Sequence, residues 1–238
     1  MPALFLAIET ATSVCSVAVY RGSACLSLIF QDRPRTHAED LAPMIQDALK
    51  RADRSLSEID VVAVSAGPGS YTGLRIGVTT AKGLAFTSGA TLVGVSSLAA
   101  LGEHLSPVAA ENDLIVPCRV ARQDEIYVAA YRVNPANVLD ELSPPSVLGT
   151  ESLADWWNDI DAQGAAWIIG DAAASVQDAI PETVFRAPAP DAFPPSAATV
   201  ARHALTLHAR GASDDIATFE PFYLKSYAAK KHSSATLT

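Results

Sequence analysis

Short apolar runs separated by turn residues open the chain. Leu4 to Glu9, Val14 to Tyr20 and Cys25 to Gln31 are rich in β-branched and apolar residues, and Arg21-Gly22-Ser23 parts the second run from the third. Such runs read as an antiparallel meander of three strands. The period then lengthens. Ala38, Leu41, Ile45, Ala48, Leu49 and Ala52 recur at helical spacing and predict a helix over roughly Thr36 to Ala52. Pro43 inside that span would delete a backbone hydrogen bond at about 3 kcal/mol, an objection that disappears if the helix proper begins near Leu41, with the proline in its first turn. A buried strand at Ile59 to Ser65, a helix at Thr72 to Thr87, a strand at Thr91 to Val95 and a helix at Ser97 to His104 follow.

The second half repeats this order more loosely. Leu114 to Arg119, Ile126 to Val133 and a short Val147 to Leu148 read as strands. Helix Leu153 to Asp159, strand Ala166 to Gly170, helix Ser175 to Ile180, strand Thr183 to Arg186 and helix Ala197 to Arg210 come after them. Three strands followed by alternating helices and strands is the order of a ribonuclease H-like unit. Its repetition predicts an α/β fold of two such lobes, as the actin and Hsp70 (ASKHA) superfamily duplicates them. The expected divisions are a first lobe over 1–106, a smaller second lobe over 107–212, and a tail over 213–238 that returns to the first lobe.

Composition narrows the picture. The chain has 238 residues, 49% of them hydrophobic and 18% charged, enough for two compact lobes. A net charge of -9 and an isoelectric point near 4.9 argue against gripping a nucleic-acid backbone unaided, so any role on RNA is expected to be indirect. The exception, Lys225, Lys230, Lys231 and His232, is too short to make a basic face. Cys15, Cys25 and Cys118 are scattered and form no CxxC, which fits a reducing compartment, the cytoplasm. The apolar opening lacks a basic start and is broken by Glu9, Thr10, Thr12 and Ser13, so it reads as strands rather than a leader. No membrane span is expected.

Candidate chemistry centres on Ala66-Gly67-Pro68-Gly69-Ser70-Tyr71-Thr72-Gly73, between a strand and a helix. Amides exposed at such a junction attract anions, so Gly67, Gly69 and Ser70 are a candidate phosphate cradle; the commoner role is a turn that docks the helix on its sheet. Two nucleotide motifs fail on counting. GxGxxG would need glycine at Thr72, and no Gly-Lys is followed by Ser or Thr. The helix behind the loop carries Gly73, Gly77, Ala81 and Ala85 as a bare ridge, which suits close packing either on the lobe's own sheet or on a partner helix. Leu74, Ile76, Val78, Leu84 and Phe86 around it are too many for one sheet, so the helix is expected to be two-sided. The histidines, His37, His104, His203, His208 and His232, show no i, i+4 pair, so no metal site is expected. No HExxH occurs.

Leu6-Ala7-Ile8-Glu9-Thr10-Ala11-Thr12, the stretch Ser65 to Gly77 reading SAGPGSYTGLRIG, and Val93-Gly94-Val95-Ser96-Ser97-Leu98 together resemble the TsaB (YeaZ) family. His37 to Met44, Arg122 to Tyr127 and Glu220 to Lys225 extend the resemblance more faintly. It implies an actin-like fold and a non-catalytic paralogue of TsaD, serving as scaffold in the synthesis of N6-threonylcarbamoyladenosine in tRNA beside a TsaD-like catalytic subunit and a TsaE-like ATPase. In the catalytic relative an HxxxH pair follows the strand matching Leu92 to Val95; here that place reads Ser96-Ser97-Leu98-Ala99-Ala100-Leu101. The first strand generally ends in aspartate in the family, where this chain has Glu9. Glu9, Gly67, Gly69, Ser70 and Thr72 are then a vestigial phosphate loop. No cofactor of its own is implied, and ATP only at the interface of the complex. The expected partner face is Leu41, Met44, Ile45, Ala48, Gly73, Leu74, Gly77, Val78 and Ala81, the same face serving a homodimer when the chain is alone. On that expectation Gly77→Leu would block the partner and spare the fold. The alternative is an ATP-dependent phosphotransferase working in its own cleft.

Overall fold

The computed structural model describes residues 1–33, 36–122, 124–162, 164–181, 183, 185–189 and 192–224; the lysines from Lys225 onward and His232 lie outside them. In the first half, strands β1 (Leu4–Glu9), β2 (Val14–Arg21) and β3 (Ala24–Asp32) precede helix α1 (His37–Arg51). Strand β4 (Val61–Gly67), helix α2 (Tyr71–Ser88), strand β5 (Thr91–Ser96) and helix α3 (Ser97–Gly102) follow. The sheet order is β3-β2-β1-β4-β5, antiparallel across the first three strands and parallel from β1 through β4 to β5. In the second half β6 (Leu114–Arg122), β7 (Glu125–Val133), β8 (Leu139–Gly149), α4 (Leu153–Asn158), β9 (Ala166–Ile169), α5 (Ala173–Ala179), β10 (Phe185–Arg186) and α6 (Ala197–Ala209) form the sheet β8-β7-β6-β9-β10. Position for position the two orders are the same, so both lobes are ribonuclease H-like.

Each sheet is covered on both faces, which is why β1 and β4 read as unbroken apolar runs. In the first lobe α1 and α2 close one face through Leu41, Ile45, Ala48, Val78 and Ala81 on Leu6, Ile8, Val17 and Val62. The other face is closed by α6, whose Ala197, Val200, Ala201 and Ala204 pack on Phe5, Ala7, Ala18 and Val93. In the second lobe α4 and α5 cover one face. Leu98, Ala99 and Leu101 of α3 lie with Ile115, Ala129, Tyr131 and Ile169 on the other. The lobes therefore exchange their third helices. The boundary drawn at residue 212 needs correction, because α6 belongs to the first sheet's core. Its alanine-rich stripe fits either sheet, and the long connection through 187–195 lets it cross.

The exchange is fastened by polar contacts. Nδ1 of His203 on α6 stands 2.9 Å from Oε1 of Glu103, at the end of α3, and both side chains are buried. Arg202 Nη2 donates to the Glu103 carbonyl oxygen at 2.8 Å, and Ser106 Oγ donates to Glu103 Oε2 at 3.0 Å. Residues 213–224 run back along the first lobe. The Asp214 amide donates to Leu92 O at 2.9 Å, Lys82 Nζ donates to Phe219 O at 2.8 Å, and the Phe222 amide donates to Ala66 O at 2.7 Å.

Two elements differ from expectation. Helix α1 starts at His37, so Pro43 is interior. The proline lies on the exposed side, where water reaches the Glu39 carbonyl that its ring deprives of a donor, while His37 Nε2, 3.2 Å from Val14 O, anchors the first turn. Strand β8 spans eleven residues rather than two. Pro144 and Pro145 mask it in the sequence, and it tolerates them because it is an edge strand with register shifts against β7.

Candidate functional site

The lobes meet across a cleft of about 770 Å³, bounded by the β1–β2 turn, the start of α1, the glycine loop and, from the second lobe, Arg119 and Tyr127. Gly69, Ser70 and Thr72 line it; Glu9 and Gly67 do not. Glu9 lies beneath the floor, 1% exposed, and its carboxylate accepts from the Ala11 amide at 2.6 Å. Burial pushes its pKa above the usual carboxylate range, and the Ala11 amide, the Ser65 hydroxyl and the Arg119 charge pull it part of the way back.

The glycine loop is closed onto the same floor. The Ser70 amide donates to Ala11 O at 2.8 Å, and Ser70 Oγ accepts from the Gly73 amide at 3.2 Å as the cap of α2. Two donors that a phosphate cradle would offer are thus engaged within the protein. Thr10 Oγ1 donates to Gly73 O at 2.9 Å, and a Cβ at Gly77 would collide with that same hydroxyl. The bare ridge of α2 therefore seats the helix on the turn after β1.

That seating overturns the expected partner face. Leu41, Met44, Ile45, Ala48, Gly73, Leu74, Gly77, Val78 and Ala81 are all buried in the first lobe. Helical periodicity marks a face that is covered without saying by what, and here the lobe's own sheet covers it. The outward side of α2 carries Arg75, Thr79, Gly83 with open space above it, and Phe86 at 79% exposure, the apolar residue on the second side that the sequence predicted. Beside it α1 turns Ala38, Ala42, Pro43 and Gln46 outward.

A second hollow of about 180 Å³ adjoins the cleft, sharing Pro68, Gly69, Ala121 and Tyr127 with it. Here the glycine loop, the β6–β7 hairpin and residues 222–224 converge. These are three of the segments that carried the resemblance. No periodicity could have joined them, since roughly fifty to a hundred residues separate each from the next.

Among the described residues no set of three His, Cys, Asp or Glu side chains is placed to hold a metal ion, and no helix is long and apolar enough to cross a membrane.

Two ribonuclease H-like lobes around a cleft, with third helices exchanged, define an actin-like α/β protein. A family model for TsaD, tRNA N6-adenosine threonylcarbamoyltransferase, matches residues 31–232, and the chain belongs to this family, within its TsaB (YeaZ) group. It is 36% identical to the tRNA threonylcarbamoyladenosine biosynthesis protein TsaB of Escherichia coli, over 53% of this chain and 54% of that one. It is 31% identical to the TsaB of Bacillus subtilis, over 63% of each. The chain spans about half the length of the first of these curated relatives. The solved structure of YeaZ from Pseudomonas aeruginosa superposes with a TM-score of 0.79 at 27% identity, covering 93% of this chain and 100% of that one.

Proposed function

We propose that this chain is a non-catalytic subunit in the synthesis of N6-threonylcarbamoyladenosine in tRNA, holding a TsaD-like catalytic subunit and, with it, a TsaE-like ATPase in the cytoplasm. The observation that carries this reading is the sealed cleft floor. The one acid at the end of β1 is turned into the protein and hydrogen-bonded there, out of reach of a substrate in the cleft. The names of the relatives supply the pathway, and what is left for this chain is a binding task. Any nucleotide is then held at the interface of the complex rather than by this chain alone.

The partner surface in this reading is the outward side of α1 and α2. Small residues at Ala38, Ala42, Thr79 and Gly83 admit a close helix, and Phe86 supplies an apolar anchor of the kind that dominates interfaces. Alone, the chain pairs with a second copy through the same face.

Reconstitution tests the reading. Modified adenosine is expected only when this chain is added to the catalytic subunit and the ATPase; product from this chain alone would end the non-catalytic reading, and ATP turnover lost on Glu9→Ala would replace it with the phosphotransferase reading. Phe86→Glu is expected to abolish copurification with the catalytic subunit at unchanged melting temperature, and copurification at wild-type level would move the interface elsewhere.

A further inference from the structure

Exposed aromatic rings are concentrated at the hollow beside the cleft. Tyr71 is 38% exposed, Phe222 47% and Tyr223 37%, and Tyr127 lines the wall between hollow and cleft. The rings of Tyr71 and Tyr223 lie 5.0 Å apart at 33°, and the Arg75 guanidinium sits 5.4 Å from the Tyr71 centroid on the same stack. Two backbone contacts brace the platform: the Phe222 amide donates to Ala66 O, and the Phe222 carbonyl presses against Gly67 where a Cβ would collide. The rings are therefore presented outward by a fixed backbone.

Charge singles out the same corner. Between residues 107 and 191 the chain has fourteen acidic and only four basic side chains, and two of those four, Arg119 and Arg122, line the cleft and the hollow. Arg75 brings a third cation from the first lobe. The opposing carboxylates are Glu220, which acts on Tyr223, and Asp124 and Glu125 in the hairpin that carries Arg122.

We propose that this corner binds an unpaired nucleotide of single-stranded RNA, its base stacked on Tyr223 and Phe222 and its phosphates facing Arg122 and Arg75. Stacking on aromatic rings beside arginine is how proteins hold splayed bases without reading a duplex. A hollow of about 180 Å³ takes one planar ring system and not a base pair. The net charge that forbids a broad grip on the backbone is no obstacle to a contact one nucleotide wide. The inference goes beyond the scaffold role and does not depend on it.

Fluorescence anisotropy of a labelled octaadenylate RNA titrated with the full chain tests it. Saturable binding is expected, weakened about tenfold by Tyr223→Ala and preserved by Tyr223→Phe. Arg122→Ala is expected to weaken binding and to flatten the slope of log affinity against log salt by about 0.7, the share of one phosphate on a single strand. Both side chains are exposed, and circular dichroism melting checks that each variant is folded. No saturable binding, or wild-type affinity in folded Tyr223→Ala, overturns the proposal. So does AMP competing as well as the octamer, which would assign the corner to a free nucleotide. Phe86→Glu is expected to leave RNA affinity unchanged, so failure here and failure of the scaffold reading are separate results.

Discussion

The two lobes share one strand order but differ in almost everything laid over it. The strand preceding the second helix gives way in each lobe at a glycine in the same unusual conformation, Gly67 with φ of 120° as the last residue of β4 and Gly170 with φ of 127° directly after β9. An L side chain is strained at such angles and in both places would meet a backbone oxygen, that of Phe222 or of Cys118. The repeat is thus preserved in backbone geometry. Its helices are not preserved: α1 and α2 run 15 and 18 residues, while α4 and α5 run 6 and 7. Charge differs as well, since residues 1–106 hold nine acidic and eight basic side chains against the fourteen and four of residues 107–191. Topology is cheap to keep because it rests on a few turns and two apolar faces. Helix length and surface charge are free to vary, and the long helices with outward faces lie on the nearly neutral lobe, the surface proposed above for a partner.

The comparison is broken most severely at Gly77. Because α2 rests directly on Thr10, Gly77→Leu is expected to destabilise the first lobe by about 3 kcal/mol or more, the upper range for forcing bulk into a packed contact, and to reduce soluble yield. Urea unfolding followed by circular dichroism measures it. A variant as stable as the parent would restore the view that this ridge awaits a partner.

The exchanged helices set the next effect. Trp156, Trp157 and Trp167 all belong to the second lobe, so tryptophan fluorescence reports that lobe while circular dichroism reports both. The parent is expected to unfold with the two signals coincident. His203→Leu leaves Glu103 buried without its imidazole, at a cost of about 3 kcal/mol, and is expected to separate the signals. Coincident transitions in the variant would mean that apolar packing alone couples the lobes.

Glu9 gives the smallest effect and a pH signature. Its folded pKa is raised by burial, so holding it charged costs stability at neutral pH, and that cost is relieved as pH falls through the raised value. Glu9→Gln keeps an acceptor for the Ala11 amide and is expected to stabilise by less than about 1 kcal/mol, on the scale of one hydrogen bond, with the gain vanishing on acidification. A loss of stability at neutral pH would show that the carboxylate is held by its partners more strongly than burial opposes it.

Much of this was legible in the residues. Alternating short strands and periodic helices declared the doubled unit, and the SAGPGSYTGLRIG stretch declared the family. The candidate site was legible only in part: Gly69, Ser70 and Thr72 reach the cleft, while Arg119 escaped notice, and that Tyr71 and the Phe222-Tyr223 pair meet in one hollow could not be read because no local pattern links them. Strand β8 escaped because paired prolines look like a loop wherever the edge position is unknown.

Apart from β8, sequence by itself determined which segments are helix or strand and which of their faces are apolar, since both follow from neighbours a few residues apart. Only the tertiary structure decided what covers those faces: its own sheet for the ridge of α2, the opposite lobe's sheet for α3 and α6, the protein interior for Glu9. The physical reason is that apolar burial has no direction and accepts any complementary surface, so the choice is made by contacts between residues as distant as Glu103 and His203.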